Sequence, residues 1–183
     1  MSMMELRDIS TLTTPPVERR PVVTEVIPCQ LPRGRRAIQR EMERGGQVYI
    51  LHNRVQDIED VANEISSLVP KATVAVGHGQ MPSVALDAVM RSFVQGKSDV
   101  LVSTTIIENG LDVPRANTMI IRNANRFGLA QLHQLRGRVG RSRERAFCYL
   151  MLPEHGVEDP TALERLRTLE RYSMLGAGFR IAM

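Results

Sequence analysis

Short apolar runs alternate with longer stretches of helical periodicity, and this alternation constrains the chain more than any other feature. Val22–Ile27, Gln47–Leu51, Thr73–Val76, Asp99–Ser103, Thr118–Ile121 and Ala146–Leu152 are runs of four to seven residues rich in β-branched and other apolar side chains, the composition of buried strands. Between the second and third runs, Ile58, Val61, Ala62, Ile65, Leu68 and Val69 fall on one helical face. Leu86, Val89, Met90 and Phe93 repeat that spacing and are expected to point inward. Further helices are predicted from Pro32 to Arg44, stopped by Gly45–Gly46, around Leu129–Arg136, and from about Thr161 to Leu175. Buried strands separated by helices imply right-handed crossovers and a mostly parallel sheet covered on both faces. The fold class expected is therefore α/β, a three-layer αβα domain. In such sheets ligands bind beyond the carboxyl ends of the strands. His52–Asn53, Gly77–His78–Gly79 and Thr104–Thr105 occupy those ends.

The 183 residues suit one domain with a small appendage. No apolar run approaches the ~20 residues of a membrane span. Cys29 and Cys148 are too few and too far apart for a disulfide framework or a zinc site, so a reducing, cytoplasmic protein is expected. Net charge is +4, yet Lys71 and Lys97 are the only lysines among 24 basic residues, leaving 22 arginines. Guanidinium forks suit phosphate oxygens gripped in pairs. An arginine-favouring genome would give the same bias.

Gly96–Lys97–Ser98 imitates the end of a phosphate-binding loop, but Arg91 stands where its first glycine belongs and a helix precedes it. It is read as a helix-to-strand turn, and the chain carries no phosphate loop of its own. The densest chemistry is Gln131–Arg143, in which Arg136, Arg138, Arg141 and Arg143, with Arg145 beyond them, concentrate positive charge around Gly137 and Gly140. Like charges so crowded repel one another, and a polyanion relieves that. A solvated basic helix end is the plainer alternative. Val100–Ile121 is the second constellation: a strand delivering Ser103, Thr104 and Thr105, with hydroxyls and free backbone N–H groups suited to phosphate, then Glu108, Gly110 and Asp112 before Pro114.

The ordered segments QVYILHN, GHGQM, TTIIENGLDVP and QLHQLRGRVGR resemble motifs IV, IVa, V and VI of superfamily-2 helicases and translocases. FGLAQLHQLRGRVGRS is similar to the group that holds RecG and the transcription-repair coupling factors (Mfd). The opening LRDISTLTTPP and the LVPKATVAVGHGQM stretch lean toward the latter. The resemblance implies a second RecA-like motor domain, with ATP and Mg2+ bound mainly by a first motor domain in cis. No cofactor is then expected on this chain alone, and no metal. It implies that Arg138 and Arg141 reach the γ-phosphate as arginine fingers. Gln134, Gly110 and Asp112 would couple nucleotide to domain closure, and Asn53, His78, Gly79, Thr104 and Thr105 would grip the DNA backbone.

By the same resemblance, residues 1–21 are an arm from the first motor domain and 22–152 the helicase C-terminal lobe. Residues 153–183 begin a helical hairpin (the TRG element) in which Arg165 transmits motion. The implied whole is an ATP-dependent double-stranded DNA translocase of transcription-coupled repair, bacterial, cytoplasmic and nucleoid-associated. RNA polymerase and an excision-repair protein would be its partners through other domains, and the isolated chain would be inactive. A RecG-like branched-DNA helicase lobe and an ATP-independent nucleic-acid-binding module are the alternatives. His52, His133 and His155 carry no expected role beyond that of solvated polar residues.

Overall fold

The computed structural model describes residues 22–104, 113–140 and 144–173. The arm over 1–21, the last ten residues, and Thr105, Glu108, Gly110, Asp112, Arg141 and Arg143 lie outside the described residues. The strands are β1 (Val23–Ile27), β2 (Gln47–Leu51), β3 (Val74–Gly77), β4 (Val100–Ser103), β5 (Ala116–Ile121) and β6 (Phe147–Met151). Five α-helices join them: α1 (Leu31–Glu43), α2 (Ile58–Leu68), α3 (Ser83–Val94), α4 (Leu129–Arg136) and α5 (Pro160–Ser173). All pairings are parallel, in the order β1-β6-β5-β2-β4-β3. The fold is the expected three-layer α/β domain, with a sheet wholly parallel among the described residues.

Side-chain alternation along the buried strands divides the interior into two cores. Val48, Ile50, Val102 and Ile120 face α1 and α2, where Ile38, Ile58 and Ile65 meet them. Tyr49, Leu51, Leu101, Met119 and Ile121 face α3, α4 and α5, against Phe93, Leu132, Leu135, Leu166 and Leu169. Crossover direction explains the division. A right-handed crossover covers one face when the chain moves along the sheet one way and the other face when it returns. The moves from β1 to β2 and from β2 to β3 run one way; those from β3 to β4 and from β5 to β6 run back.

Local chemistry sets the helix ends. Pro32 sits in the first turn of α1, and Gly45 follows it at φ +77°, a left-handed conformation that closes the helix. α3 departs from expectation: Phe93 is fully buried, but Leu86, Val89 and Met90 are only partly covered, because this helix lies beneath the end of the sheet. The Gly96–Lys97–Ser98 segment is the turn between α3 and β4. Buried Gln47 holds it, its side-chain amide donating to the carbonyls of Phe93 and Ser98 at 2.7 Å each. On the free side of edge strand β1, the Val26 N–H donates to the Glu170 carboxylate of α5 at 2.7 Å.

Candidate functional site

Because all strands run one way, the sequence-predicted residues fall on opposite edges of the sheet. Asn53 follows β2, Thr104 follows β4, and His78 with Gly79 follows β3. These three strands are neighbours, so four of the five expected backbone-gripping residues stand together along the carboxyl edge. Asn53 and Gly79 are exposed, His78 is half-buried and Thr104 is buried.

The edge is braced by its own backbone. The His52 N–H donates to the Ser103 carbonyl at 2.8 Å and the Thr104 N–H to the Gly77 carbonyl at 3.3 Å, tying the ends of β2, β4 and β3 together. The Thr104 amide is thus occupied rather than free, which corrects the expectation of an open phosphate-binding N–H there. Ser103 is fully buried and presents nothing to a ligand. In the turn after β3, the His78 Nδ1 accepts from the Gln80 N–H at 3.2 Å, which fixes the imidazole orientation.

His52 is not the solvated residue expected. It is buried, its Nε2 lies 2.7 Å from the Asp57 Oδ1, and its Nδ1 has no partner. This hydrogen bond holds the Asp57 carboxyl below the usual carboxylate range. Histidine and aspartate five apart gave no helical or strand spacing to read; the 3-10 turn over Val55–Asp57 is what brings them together.

Arg138 of motif VI lies at the amino edge. α4 runs antiparallel to the strands and ends at Arg136, so Gly137–Gly140 turns beside the starts of β1 and β6. Gly140 has φ +82°, and a Cβ there would lie 3.0 Å from Val22 Cγ2 and 3.3 Å from Ala146 Cβ. Only glycine fits, in conformation and in space. Arg138, on this turn, is half-buried, and Gln134 one helical turn earlier is exposed.

Arg136 belongs to the interior rather than to the phosphate-facing cluster. Its guanidinium is buried, 3.3 Å from Thr24 Oγ1, 3.4 Å from the Leu169 carbonyl and 3.1 Å from His133 Nδ1. Burial lowers its pKa and also that of His133, where the neighbouring guanidinium adds repulsion. Burial pushes the Cys148 thiol up to about 12, so it is a packing group rather than a nucleophile. Arg165 of α5 donates to the carbonyls of Phe127 (3.2 Å) and Asn125 (3.0 Å), docking α5 onto the connection after β5.

Sequence reasoning overlooked the polar residues after β5. Arg122 and Asn123 follow a buried strand just as His52 and Asn53 do. They form one wall of a cleft of about 470 Å³ that also includes Asn53, Arg126 and Gln131. The same end-of-strand rule would have found them.

No helix among the described residues is long and apolar enough to cross a membrane. The family model "Helicase conserved C-terminal domain" matches residues 32–143, more than half of the chain. The transcription-repair-coupling factor of Bacillus subtilis (strain 168) is 52% identical over all 183 residues, and that of Staphylococcus epidermidis 48%. The chain spans 16% of the length of each. Among solved structures, RecG bound to a three-way DNA junction matches with TM-score 0.72 and 38% identity, over 86% of this chain and 22% of that one. Dbp5 of S. cerevisiae bound to RNA and ADP BeF3 matches with TM-score 0.60 and 17% identity, over 83% of this chain and 39% of that one, and shares the fold alone. The parallel sheet, the glycine-bounded arginine turn and these matches agree: the chain belongs to the helicase conserved C-terminal domain family and is similar along its whole length to transcription-repair-coupling factors.

Proposed function

We propose that this chain works as the second motor lobe of an ATP-driven double-stranded DNA translocase of transcription-coupled repair. The longer protein would displace stalled RNA polymerase and recruit excision repair through other domains. The observation that carries the reading is the alignment of Asn53, His78 and Gly79, with buried Thr104 between them, across three adjacent strand ends. Contacts of that kind hold phosphates without reading sequence, as a motor that steps along any DNA requires. Thr105, beyond the described residues, belongs to the same set.

The amino edge has a separate task. ATP with Mg2+ supplies the phosphoryl-transfer chemistry, held mainly by a first motor domain with its own phosphate loop. Arg138 and Arg141 neutralise charge at the γ-phosphate from across the cleft, while Gln134, Gly110 and Asp112 link nucleotide state to closure. The Gly140 turn fits this role, since its close backbone approach to Val22 and Ala146 anchors the turn that carries Arg138. In the full-length protein, Arg141→Ala should lower DNA-stimulated ATP turnover about a thousandfold or more while ATP binding persists. Unchanged turnover would reject the finger role.

The 38% identity to RecG supports a second reading, a branched-DNA helicase lobe. Unwinding of three-way junctions in preference to translocation on linear duplex would favour it.

A further inference from the structure

The DNA-gripping residues proposed above end at Asn53, but the carboxyl edge does not. Beyond Asn53 the sheet continues through β5, β6 and β1, and the cleft opens over their ends. It sits where the chain changes direction along the sheet. The connection leaving β2 departs toward β3 on one face, and that leaving neighbouring β5 departs toward β6 on the other. Crevices at such reversals are where parallel sheets bind ligands.

Three guanidinium groups line it: Arg54, Arg122 and Arg126. None is held in a close ion pair by the described residues. Arg54 approaches Asp57 only to 4.0 Å and Arg122 approaches Glu64 only to 3.9 Å. The exposed Arg126 side chain makes no hydrogen bond or ion pair to the described residues. Loose pairs of this kind contribute at most about 1 kcal/mol and exchange readily for a stronger acceptor.

The lining is built rather than incidental. Asn123 adopts φ +51°, ψ 49°, the only described non-glycine residue with positive φ, and such backbone collects at ligand sites. Arg165 clamps the following turn through two carbonyls. Buried His52, also on the wall, keeps its Nδ1 unpartnered. Asp57 and Glu154 line the cleft with the three arginines and Glu64 stands near Arg122, so the carboxylates nearly balance the guanidinium charge. That balance suits singly charged phosphodiesters better than a free triphosphate.

We propose that this cleft extends the DNA track, binding the phosphodiester backbone through Arg122 and Arg126 with Asn123 and Gln131 beside them. The inference rests on the carboxyl-edge reading above and deepens it. From β2 to β1 the sheet spans three strand spacings, about 14 Å at ~4.8 Å each. At ~3.4 Å per nucleotide along a duplex strand, the extension covers roughly four nucleotides.

The test is fluorescence anisotropy of labelled duplexes of graded length with the full-length protein, its Arg122→Gln/Arg126→Gln form and an Asn53→Ala form, across a salt series. Each lost phosphate contact flattens the log–log salt slope by about 0.9, so the arginine pair should flatten it by about 1.8. Its affinity should also stop rising on duplexes roughly four base pairs shorter than for the unaltered protein. Weakened binding by Asn53→Ala with an unchanged slope and length dependence in the arginine pair overturns the cleft and leaves the edge standing. Unchanged binding in both forms counts against the edge reading itself and removes the cleft with it. An equal loss of binding to polyglutamate would make the cleft a site for acidic peptides and overturn the proposal.

Discussion

Arg136 and His133 show how a charge cluster divides when its members face different ways. The Arg136 guanidinium can only donate, so the 3.1 Å contact makes His133 Nδ1 an acceptor, and the ring must be neutral to provide it. The folded His133 pKa is depressed by burial and by that guanidinium, so the unfolded chain takes up the proton first. Stability is then complete above the ordinary histidine value of 6.5 and declines as pH falls through 6.5 toward the folded value. One half-exposed group sets a slope well under about 1.4 kcal/mol per pH unit. His133→Gln, which keeps an acceptor for Arg136, should flatten this part of the profile, as measured by denaturant unfolding at a series of pH values. The inward position of Arg136 was available in the sequence. It stands four residues after Leu132 and one after Leu135, on the helical face that carries both into the core. Counting charges along the chain hides what counting faces reveals.

At the scale of elements, the strands match the sequence reading to within one or two residues, because β-branched runs between turn residues leave little choice of boundary. α3 was less legible, since periodicity shows which side of a helix is apolar but not how much sheet remains above it. The join between α1 and β2 was not legible at all. There the Glu41 carboxylate is buried, bound to Arg44 at 2.7 Å and to the Thr118 hydroxyl. A Cβ at Gly46 would lie 2.0 Å from Glu41 Oε2 and 3.0 Å from the Arg115 carbonyl. The carboxylate cannot retreat without leaving its partners, so Gly46→Ala should cost about 1–3 kcal/mol through overpacking. Gly128, which opens α4, has nothing within 4 Å of an added Cβ. Gly128→Ala should therefore stay within about 0.5 kcal/mol of the unaltered chain in the same unfolding assay.

The whole molecule sets the two groups of residues proposed to meet phosphate apart by the length of the sheet. Residues proposed to hold DNA stand at one end and the arginine turn at the other, with the buried strands β2, β4 and β5 between them. On the reading proposed above, neither end completes an ATP site without a partner lobe. The isolated chain should show ATP hydrolysis indistinguishable from background in a phosphate-release assay, with or without DNA. Turnover well above background would contradict the division. The two ends were legible to different degrees. Polar residues directly after buried strands mark the carboxyl end, those after β5 included, whereas the strand order that sets Arg122 beside Asn53 is visible only in the fold.

The Glu170 side chain has a consequence for how this lobe behaves in company. A border strand with open amides invites any passing polypeptide to zip onto it, and that is how sheets seed aggregates. Here the Val26 amide is already occupied by a carboxylate held on α5. An intruder would have to dislodge a charged group before gaining its first rung.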